Sequence, residues 1–211
     1  MECCKKVIPS NAAQSWSSPA QVLAKPDVRA ILNFNKHKKI LEVGPGCMRN
    51  ALFLLKNGHE VHTFDLQDAS ERFPRPYREF TSHGGRVLKR IPSLPTYNLI
   101  LTTYVIEAIC NLHRRRELVK EIAASLKPDG AWILSVRGPR NIVLIKRKSQ
   151  KCSDGYLTNQ RTFVRSYTKT QIKNFLHNFG FRYFKFLHKP GVDEPELLDI
   201  IVRKKPNVRT E

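Results

Sequence analysis

The chain has 211 residues, and its 37 lysines and arginines against 18 aspartates and glutamates give a formal net charge of +19. This length fits one domain with its own core. No apolar run approaches the roughly 20 residues of a membrane-spanning helix, and the N-terminus lacks the apolar core of a signal peptide. We therefore expect a cytoplasmic protein with no membrane partner. The positive charge either indicates a polyanionic partner, nucleic acid first, or reflects general basicity.

The cysteines are odd in number and include no C-x-x-C pair: Cys3, Cys4, Cys47, Cys110 and Cys152. Adjacent Cys3 and Cys4 have poor geometry for a shared tetrahedral metal site, and no H-x-x-x-H pattern lies near them. Reduced thiols in a reducing compartment are the simplest interpretation. The sequence therefore predicts no metal site.

Residues 1–38 precede the first predicted strand. Ser10-Asn11 and Pro26-Asp27 are typical helix starts, so the segment is predicted to be helical. Trp16 within it either covers a ligand or packs in the core.

A buried strand beginning at Lys39 runs into a glycine turn at Gly44–Gly46 and then into a helix over Asn50–Asn57. A second strand, Glu60–Phe64, follows at once and ends on Asp65. Glycines let the backbone approach a ligand closely, and the N-terminus of a helix offers free N–H groups. An acid at the end of the second strand can accept both hydroxyls of a ribose. The unit therefore predicts a nucleotide-cofactor site.

Two interpretations compete for this unit. A dinucleotide enzyme needs a third glycine, as in G-x-G-x-x-G, and Gly46 is followed by Cys47, Met48 and Arg49 instead. The residues present are acid-x-Gly-x-Gly, with Glu42 as the acid. In this the stretch resembles the first motif of the class I S-adenosylmethionine (SAM) methyltransferases, E/D-x-G-x-G-x-G. The resemblance implies that SAM is the cofactor, with its ammonium end near Glu42.

Further along the chain, Leu126–Val136 reads L-K-P-D-G-A-W-I-L-S-V. It resembles the L-x-P-G-G passage into the fifth strand of the same family, with Asp129 in place of the first glycine. The fourth strand is predicted over Tyr97–Tyr104, with Asn98 where the family usually has aspartate. A helix is expected to begin at Val105–Ile109.

The resemblance implies a Rossmann-like, doubly wound α/β fold with a mostly parallel seven-stranded sheet, one antiparallel strand, and helices on both faces. The domain spans 39–203, with 1–38 as a helical lid, 137–167 as a substrate-side insertion and 204–211 as a flexible tail. Within the last part of the domain, Thr168 and Gln171 form a capping-box pattern that predicts the start of a helix.

The functional residues are predicted at the carboxyl ends of the parallel strands, where ligands bind in such sheets. Those implied to bind the cofactor are Glu42, Gly44, Pro45, Gly46, Asp65, Leu66, Thr102 and Thr103. Tyr104 and Glu107 are the catalytic candidates, with Glu107 as a possible base and Tyr104 open to an ordinary packing role. Arg137, Arg161 and Arg165 either bind an anionic substrate or lie on the surface.

The predicted reaction is methyl transfer from SAM, with nucleic acid as the preferred acceptor. Segment 68–90 interleaves arginines with aromatic residues, a mixture that can bind phosphates and stack on bases, or form an ordinary surface helix. The usual [DNS]-P-P-[YF] turn of adenine-N6 and cytosine-N4 enzymes is absent, as is the Pro-Cys pair of cytosine-C5 enzymes. Two alternatives stay open: a small-molecule methyltransferase, and a non-catalytic nucleic-acid- or partner-binding module on the same fold.

Overall fold

The computed structural model describes residues 4–5, 7, 21–32, 38–66, 69–141, 149–187 and 196–206. In these ranges the strands are β1 (Lys39–Val43), β2 (Glu60–Phe64), β3 (Arg86–Val87), β4 (Tyr97–Thr103), β5 (Leu126–Arg137), β6 (Ser149–Cys152), β7 (Gly155–Thr158), β8 (Phe163–Val164), β9 (Tyr183–Phe186) and β10 (Leu197–Arg203). The α-helices are α1 (Pro26–Leu32), α2 (Arg49–Lys56), α3 (Pro74–Ser82), α4 (Leu112–Ser125) and α5 (Lys169–His177).

Seven strands form one sheet in the order β3-β2-β1-β4-β5-β10-β9. β1 pairs in parallel with β2 and β4, while β3 and β5 extend the parallel part on either side. β10 runs antiparallel to both of its neighbours, β5 and β9. The predicted fold class is confirmed, including the antiparallel strand near one edge.

Helices cover both faces of this sheet because successive strand residues point to opposite sides. Leu41 and Ile100 belong to a core cluster that includes residues of α4 and α5. Ile40 and Leu99 belong to the other cluster, which includes residues of α1, α2 and α3. This burial of both faces explains why β1, β4 and β5 are almost continuously apolar.

Part of the predicted lid belongs to the body of the domain. Val22, Leu23, Val28 and Leu32 are at most 2% exposed and pack in the cluster of α1, α2 and α3. These four residues therefore belong to the core of the domain, although they precede the boundary predicted at residue 38. The predicted helix start at Ser10-Asn11 and the tryptophan at position 16 lie outside the described residues.

The predicted tail is also anchored at its start. The Lys204 ammonium group donates hydrogen bonds to the carbonyl oxygens of Ala123 and Leu126 at the end of α4 and the start of β5. Residues 204–206 therefore continue the domain, and 207–211 lie outside the described residues.

The chain after β4 differs from the prediction. Only a short 3-10 turn, Ile106–Ala108, forms there. α4 begins later, at Leu112, because the Asn111 side chain accepts hydrogen bonds from the backbone N–H groups of His113 and Arg114. Within the predicted insertion, β6, β7 and β8 form a separate three-stranded antiparallel sheet. No helix in the described ranges is long and apolar enough to cross a membrane.

Candidate active site

The glycine turn after β1 is fixed by contacts with two other strands. Gly44 has a φ of +70°, and its N–H donates to the Phe64 carbonyl at the end of β2 over 2.8 Å. A Cβ at position 44 would lie 2.4 Å from Cγ2 of Val105, which follows β4. Only glycine fits this position, because both the backbone conformation and the space exclude a side chain.

Space opens in front of the turn at its second glycine. Gly46 has a φ of +53°, and nothing lies within 4 Å of the place where its Cβ would be. α2 begins directly after the turn, and its cap residue, Met48, provides no side-chain acceptor for the first N–H groups of the helix. The Pro45 carbonyl accepts from the Met48 N–H over 3.0 Å and closes the turn. The turn thus presents open backbone and the positive end of a helix dipole.

Glu42 is completely buried beneath this turn. Its Oε1 atom accepts a hydrogen bond of 2.8 Å from Nδ2 of Asn50, whereas Oε2 has no hydrogen-bond partner among the described residues. Burial raises the pKa of Glu42 to about 7, against the hydrogen bond from Asn50 and the charge of Arg49; the charge of Asp65 raises it further. A buried carboxylate oxygen without a partner is suited to a cationic group.

Asp65 directly follows β2 and is partly buried. Its charge acts on Glu42, which places the two carboxylates on the same side of the site. Leu66, the next residue, packs against the core cluster of α4 and α5. Because β1 and β2 are neighbours in the sheet, their carboxyl ends bring the glycine turn and Asp65 together.

The two threonines at the end of β4 have different surroundings. The Thr102 hydroxyl is buried and accepts a hydrogen bond of 3.0 Å from the Trp132 indole N–H. Its side chain is therefore part of the core, and the prediction that it binds cofactor is not supported for that side chain. Thr103 is the last residue of β4 and is partly buried.

Glu107, Tyr104 and Arg137 lie together beyond β4 and β5. Glu107 is 1% exposed, neither of its carboxylate oxygens has a hydrogen-bond partner in the described ranges, and the Arg137 Nε atom lies 4.0 Å from Oε1. Burial raises the pKa of Glu107 to about 8, and the Arg137 charge opposes this. The Arg137 guanidinium also lies 5.9 Å from the Tyr104 ring centre. The structure thus assembles a buried acid, an arginine and a phenol in one place.

Tyr104 itself is partly buried and has a φ of +62°, which is unusual for a residue with a side chain. Its N–H donates to the Ser135 carbonyl in β5 over 2.9 Å, and this bond holds the backbone at the end of the strand. Burial raises the pKa of the Tyr104 hydroxyl, and the negative charges of Asp199 and Glu107 add to the effect.

The other two predicted substrate residues occupy different positions. Arg161 is exposed in the turn that joins β7 and β8, and its N–H donates to the Thr158 carbonyl over 2.8 Å. Arg165 pairs with Asp154, and its guanidinium lies 4.5 Å from the Tyr167 ring centre. Arg165 therefore already pairs with an acid within the protein, so it is a poorer candidate for an anionic substrate than the sequence indicated.

Asp154 also binds a second arginine. Arg115 is completely buried, and its guanidinium makes two hydrogen bonds to Asp154, of 2.7 and 3.1 Å, and two to the Ile109 carbonyl. These bonds join α4 to the small sheet of the insertion. The insertion is thus tied to the loop that carries Glu107, and the Arg165 N–H also donates to the Glu107 carbonyl over 3.0 Å.

Comparison with known families identifies the fold. A family model described as a methyltransferase domain matches residues 18–185. The chain belongs to this methyltransferase family. A search of curated proteins returned no match.

Solved structures with the same fold span most of this methyltransferase. One is the Burkholderia thailandensis 1,6-didemethyltoxoflavin-N1-methyltransferase with bound 1,6-didemethyltoxoflavin and S-adenosylhomocysteine: TM-score 0.62, 16% identity, 90% of this chain and 80% of that chain. Another is a SAM-dependent methyltransferase from Methanosarcina mazei: TM-score 0.62, 17% identity, 82% of this chain and 96% of that chain. A Pyrococcus horikoshii OT3 protein has a TM-score of 0.66 at 15% identity, and the match covers 91% of this chain and 94% of that chain. At these identities the likeness shows the fold.

Several residues of the methyltransferase site were missed at the level of sequence. Asn50 holds Glu42, and Arg115 and Asp154 join α4 to the insertion. One signal could have found Arg115: it precedes Leu118 and Val119 by three and four residues, so helical spacing places it on the buried face of α4. A buried arginine requires an acidic partner, but nothing in the sequence indicates which acid supplies it.

Proposed function

We propose that this protein transfers a methyl group from SAM to an acceptor. One observation carries the proposal: the buried Oε2 atom of Glu42 accepts no hydrogen bond from the part of the chain that the structure describes, and it lies beneath a glycine turn that is open at Gly46. SAM supplies an electrophilic methyl group on a sulfonium, with an ammonium group on one side of the sulfur and the ribose of its adenosine on the other. Glu42 and Asp65 would bind those two ends, and the backbone at Gly46 would lie between them.

The acceptor would enter beside Glu107, at the carboxyl ends of β4 and β5. Arg137 provides a positive charge there, and its guanidinium lies close enough to the Glu107 carboxyl group to favour the ionised form. Ionised Glu107 would take the proton that an O–H or N–H acceptor loses on methylation, and Tyr104 would orient the acceptor. The raised pKa of Glu107 suits a base that works close to neutral pH.

We propose nucleic acid as the acceptor class, and a basic surface at one edge of the sheet supports this. Around α3 and β3, six basic residues are exposed: Arg72, Arg75, Arg78, Arg86, Lys89 and Arg90. The aromatic residues of the same segment, Phe73, Tyr77 and Phe80, are buried in the core. The surface can therefore contact phosphates, whereas these aromatic side chains are not placed to stack on bases.

The test of cofactor binding is titration calorimetry of SAM and S-adenosylhomocysteine with the wild type and Asp65→Ala. Loss of a charged hydrogen-bond partner should weaken binding by about 1–3 kcal/mol. Asp129→Ala is the matched control, because Asp129 is exposed near the amino end of β5, at the opposite end of the sheet. Equal affinity of SAM for wild type and Asp65→Ala would show that Asp65 does not bind the cofactor. No binding of either ligand to the wild type would overturn the proposed activity and favour a non-catalytic binding module.

A further inference from the structure

A cluster of three cysteine sulfurs lies outside the cofactor site. The sulfur atoms of Cys4, Cys110 and Cys152 all lie within 4.8 Å of one another. Cys110 and Cys152 are buried, and Cys4 is partly buried. Together with Val7, Leu157 and Phe163 the three cysteines form a small apolar core of their own. Three distant parts of the chain thus meet at sulfur: the N-terminal segment, the loop before α4, and the end of β6.

The structure shows the oxidised state of this cluster. Cys4 and Cys110 form a disulfide with their Cα atoms 5.6 Å apart, and Cys152 is disulfide-bonded as well. The Cys110 and Cys152 sulfurs lie 3.6 Å apart, although they are not the bonded pair. The three sulfurs therefore belong to more than one disulfide, and reduction would leave three thiols side by side.

The spacing of the sulfurs corresponds to a tetrahedral thiolate site. Zinc–sulfur bonds of about 2.3 Å place neighbouring ligand sulfurs about 3.8 Å apart. The Cys110–Cys152 separation of 3.6 Å is close to this value. The Cys4 and Cys110 sulfurs are bonded to each other and would move apart to this distance once the disulfide is reduced. Cysteine thiolates are soft ligands that favour zinc in tetrahedral geometry. We propose that in the reduced protein Cys4, Cys110 and Cys152 bind one zinc ion.

The change from disulfide to metal site balances simply. Each disulfide takes up two electrons and two protons from a dithiol, which becomes a disulfide itself. Zinc then replaces the thiol protons, which pass to water, because only the thiolates bind the metal. Water would fill the fourth ligand position.

The electrostatic surroundings favour the metal-bound form. Three thiolates and one zinc ion carry a net charge of −1. Arg115 is completely buried and donates to the carbonyl of Ile109, the residue before Cys110. Its guanidinium also binds Asp154, two residues after Cys152. A fixed positive charge therefore lies between two of the three ligand segments, where it lowers the cost of burying the thiolates.

Zinc at this site would control the position of the insertion. Cys110 is three residues after Glu107, and Cys152 ends the first strand of the insertion sheet. The metal would thus join the loop of the catalytic candidate to the insertion and to the N-terminal segment. The prediction from sequence that no metal binds rested on local patterns, namely the missing C-x-x-C and H-x-x-x-H spacings and the adjacent Cys3-Cys4 pair. It could not include cysteines that only the fold brings near.

The test measures zinc directly in the full chain. Protein reduced anaerobically with a phosphine is incubated with zinc and desalted, and its metal content is determined by mass spectrometry. We expect one zinc per wild-type chain, and near-complete loss in Cys4→Ser, Cys110→Ser and Cys152→Ser. Cys47→Ala is the matched control for thiol number, because this buried cysteine belongs to the glycine turn, and should keep one zinc.

A second measurement covers variants that fold poorly. Cobalt added to the reduced wild type should give the intense visible absorption of a tetrahedral thiolate complex, and oxidation of the thiols by a disulfide reagent should release the metal. Zinc absent from the reduced wild type would overturn the proposal and leave a purely structural disulfide cluster. Zinc retained equally in all the variants would overturn it as well, since the metal would then lie elsewhere.

Discussion

At the residue scale, the candidate site contains two carboxylates that the fold buries completely, Glu42 and Glu107. Burial raises the pKa of Glu107 from 4.5 to about 8 and that of Glu42 from 4.5 to about 7. Between its two pKa values, such a group is protonated in the native state and ionised in the unfolded chain. The native state therefore binds more protons, and the free energy of unfolding falls as pH rises. Burial of the two carboxylates therefore lowers stability as the pH rises, a cost that a function at the site would offset.

The pH dependence of stability tests the burial of Glu107. Its contribution is fully present below pH 4.5 and is lost as pH rises to about 8, with a slope of at most about 1.4 kcal/mol per pH unit. In Glu107→Gln the slope should become shallower, so the variant gains stability relative to wild type as pH rises. Urea unfolding across this pH range measures the slope of the unfolding free energy, with substitution of the exposed Glu71, Glu71→Gln, as the control. Identical slopes for Glu107→Gln and wild type would show that Glu107 is not buried as a neutral acid.

The two glycines of the turn allow a matched comparison. Gly46→Ala meets nothing within 4 Å, so it should lower stability only by the backbone strain of a left-handed residue, about 1–2 kcal/mol. Its methyl group would project into the open space and weaken SAM binding. Gly44→Ala adds a contact of 2.4 Å with Val105 and should destabilise the fold much more. Thermal unfolding measures the effect on stability, and titration calorimetry measures the effect on SAM binding. A Gly46→Ala variant that binds SAM normally would show that the cofactor does not bind at the turn.

At the element scale, the helices around the site are set by local signals of different strength. α5 begins with a complete capping box, in which the Thr168 hydroxyl accepts from the Gln171 N–H and the Gln171 side chain accepts from the Thr168 N–H. α2 begins without a side-chain cap from Met48, and its Ala51 N–H lies at the Glu42 carboxylate within the candidate site. The structural helix is thus capped by its own first residues, and the helix at the site is not.

Removal of the α5 cap should affect stability and leave cofactor binding unchanged. Thr168→Ala loses one hydrogen bond to the first turn and should cost about 1 kcal/mol. Thr170→Ala, at an exposed position of the same helix, should change stability by only about 0.3 kcal/mol. Urea unfolding of both variants checks this. A loss in Thr168→Ala no larger than in Thr170→Ala would mean that the capping box contributes nothing.

At the scale of the whole molecule, the basic residues that give the net charge of +19 differ in how well they could contact a polyanion. Exposed arginines surround β3 at one edge of the sheet, whereas at the other edge Lys185 of β9 already pairs with Asp27 over 2.7 Å. The edge at β3 is therefore the better candidate for contact with a polyanion.

Salt dependence of nucleic-acid binding tests this surface. Double substitution of Arg75→Ala and Arg86→Ala should weaken binding to RNA or DNA similarly for all sequences, and lower the logarithmic salt slope by about 2. Arg182→Ala with Lys185→Ala removes the same charge from the opposite edge and should leave the slope unchanged. Equal effects of the two pairs would show that only net charge matters. Absence of salt-dependent binding would favour a small-molecule acceptor.

The sequence alone determined the elements whose signals are local. β2 has the predicted bounds, and the glycine turn with α2 and the Thr168 cap of α5 lie where their patterns placed them. The family resemblance implied a sheet covered by helices on both faces, and the apolar character of β1, β4 and β5 agrees with it. These features depend on residues within a few positions of each other, so a short stretch of sequence contains the whole cause.

Only the tertiary structure decided which side chains meet. Arg115 and Asp154 are 39 positions apart, and Cys4 and Cys110 are separated by 106. The environment of Glu107 likewise depends on β5, which supplies Arg137, and on the insertion, which supplies Arg165. Burial, charge pairing and sulfur geometry arise from chain segments that are distant in sequence, and no local pattern records which of them will become neighbours.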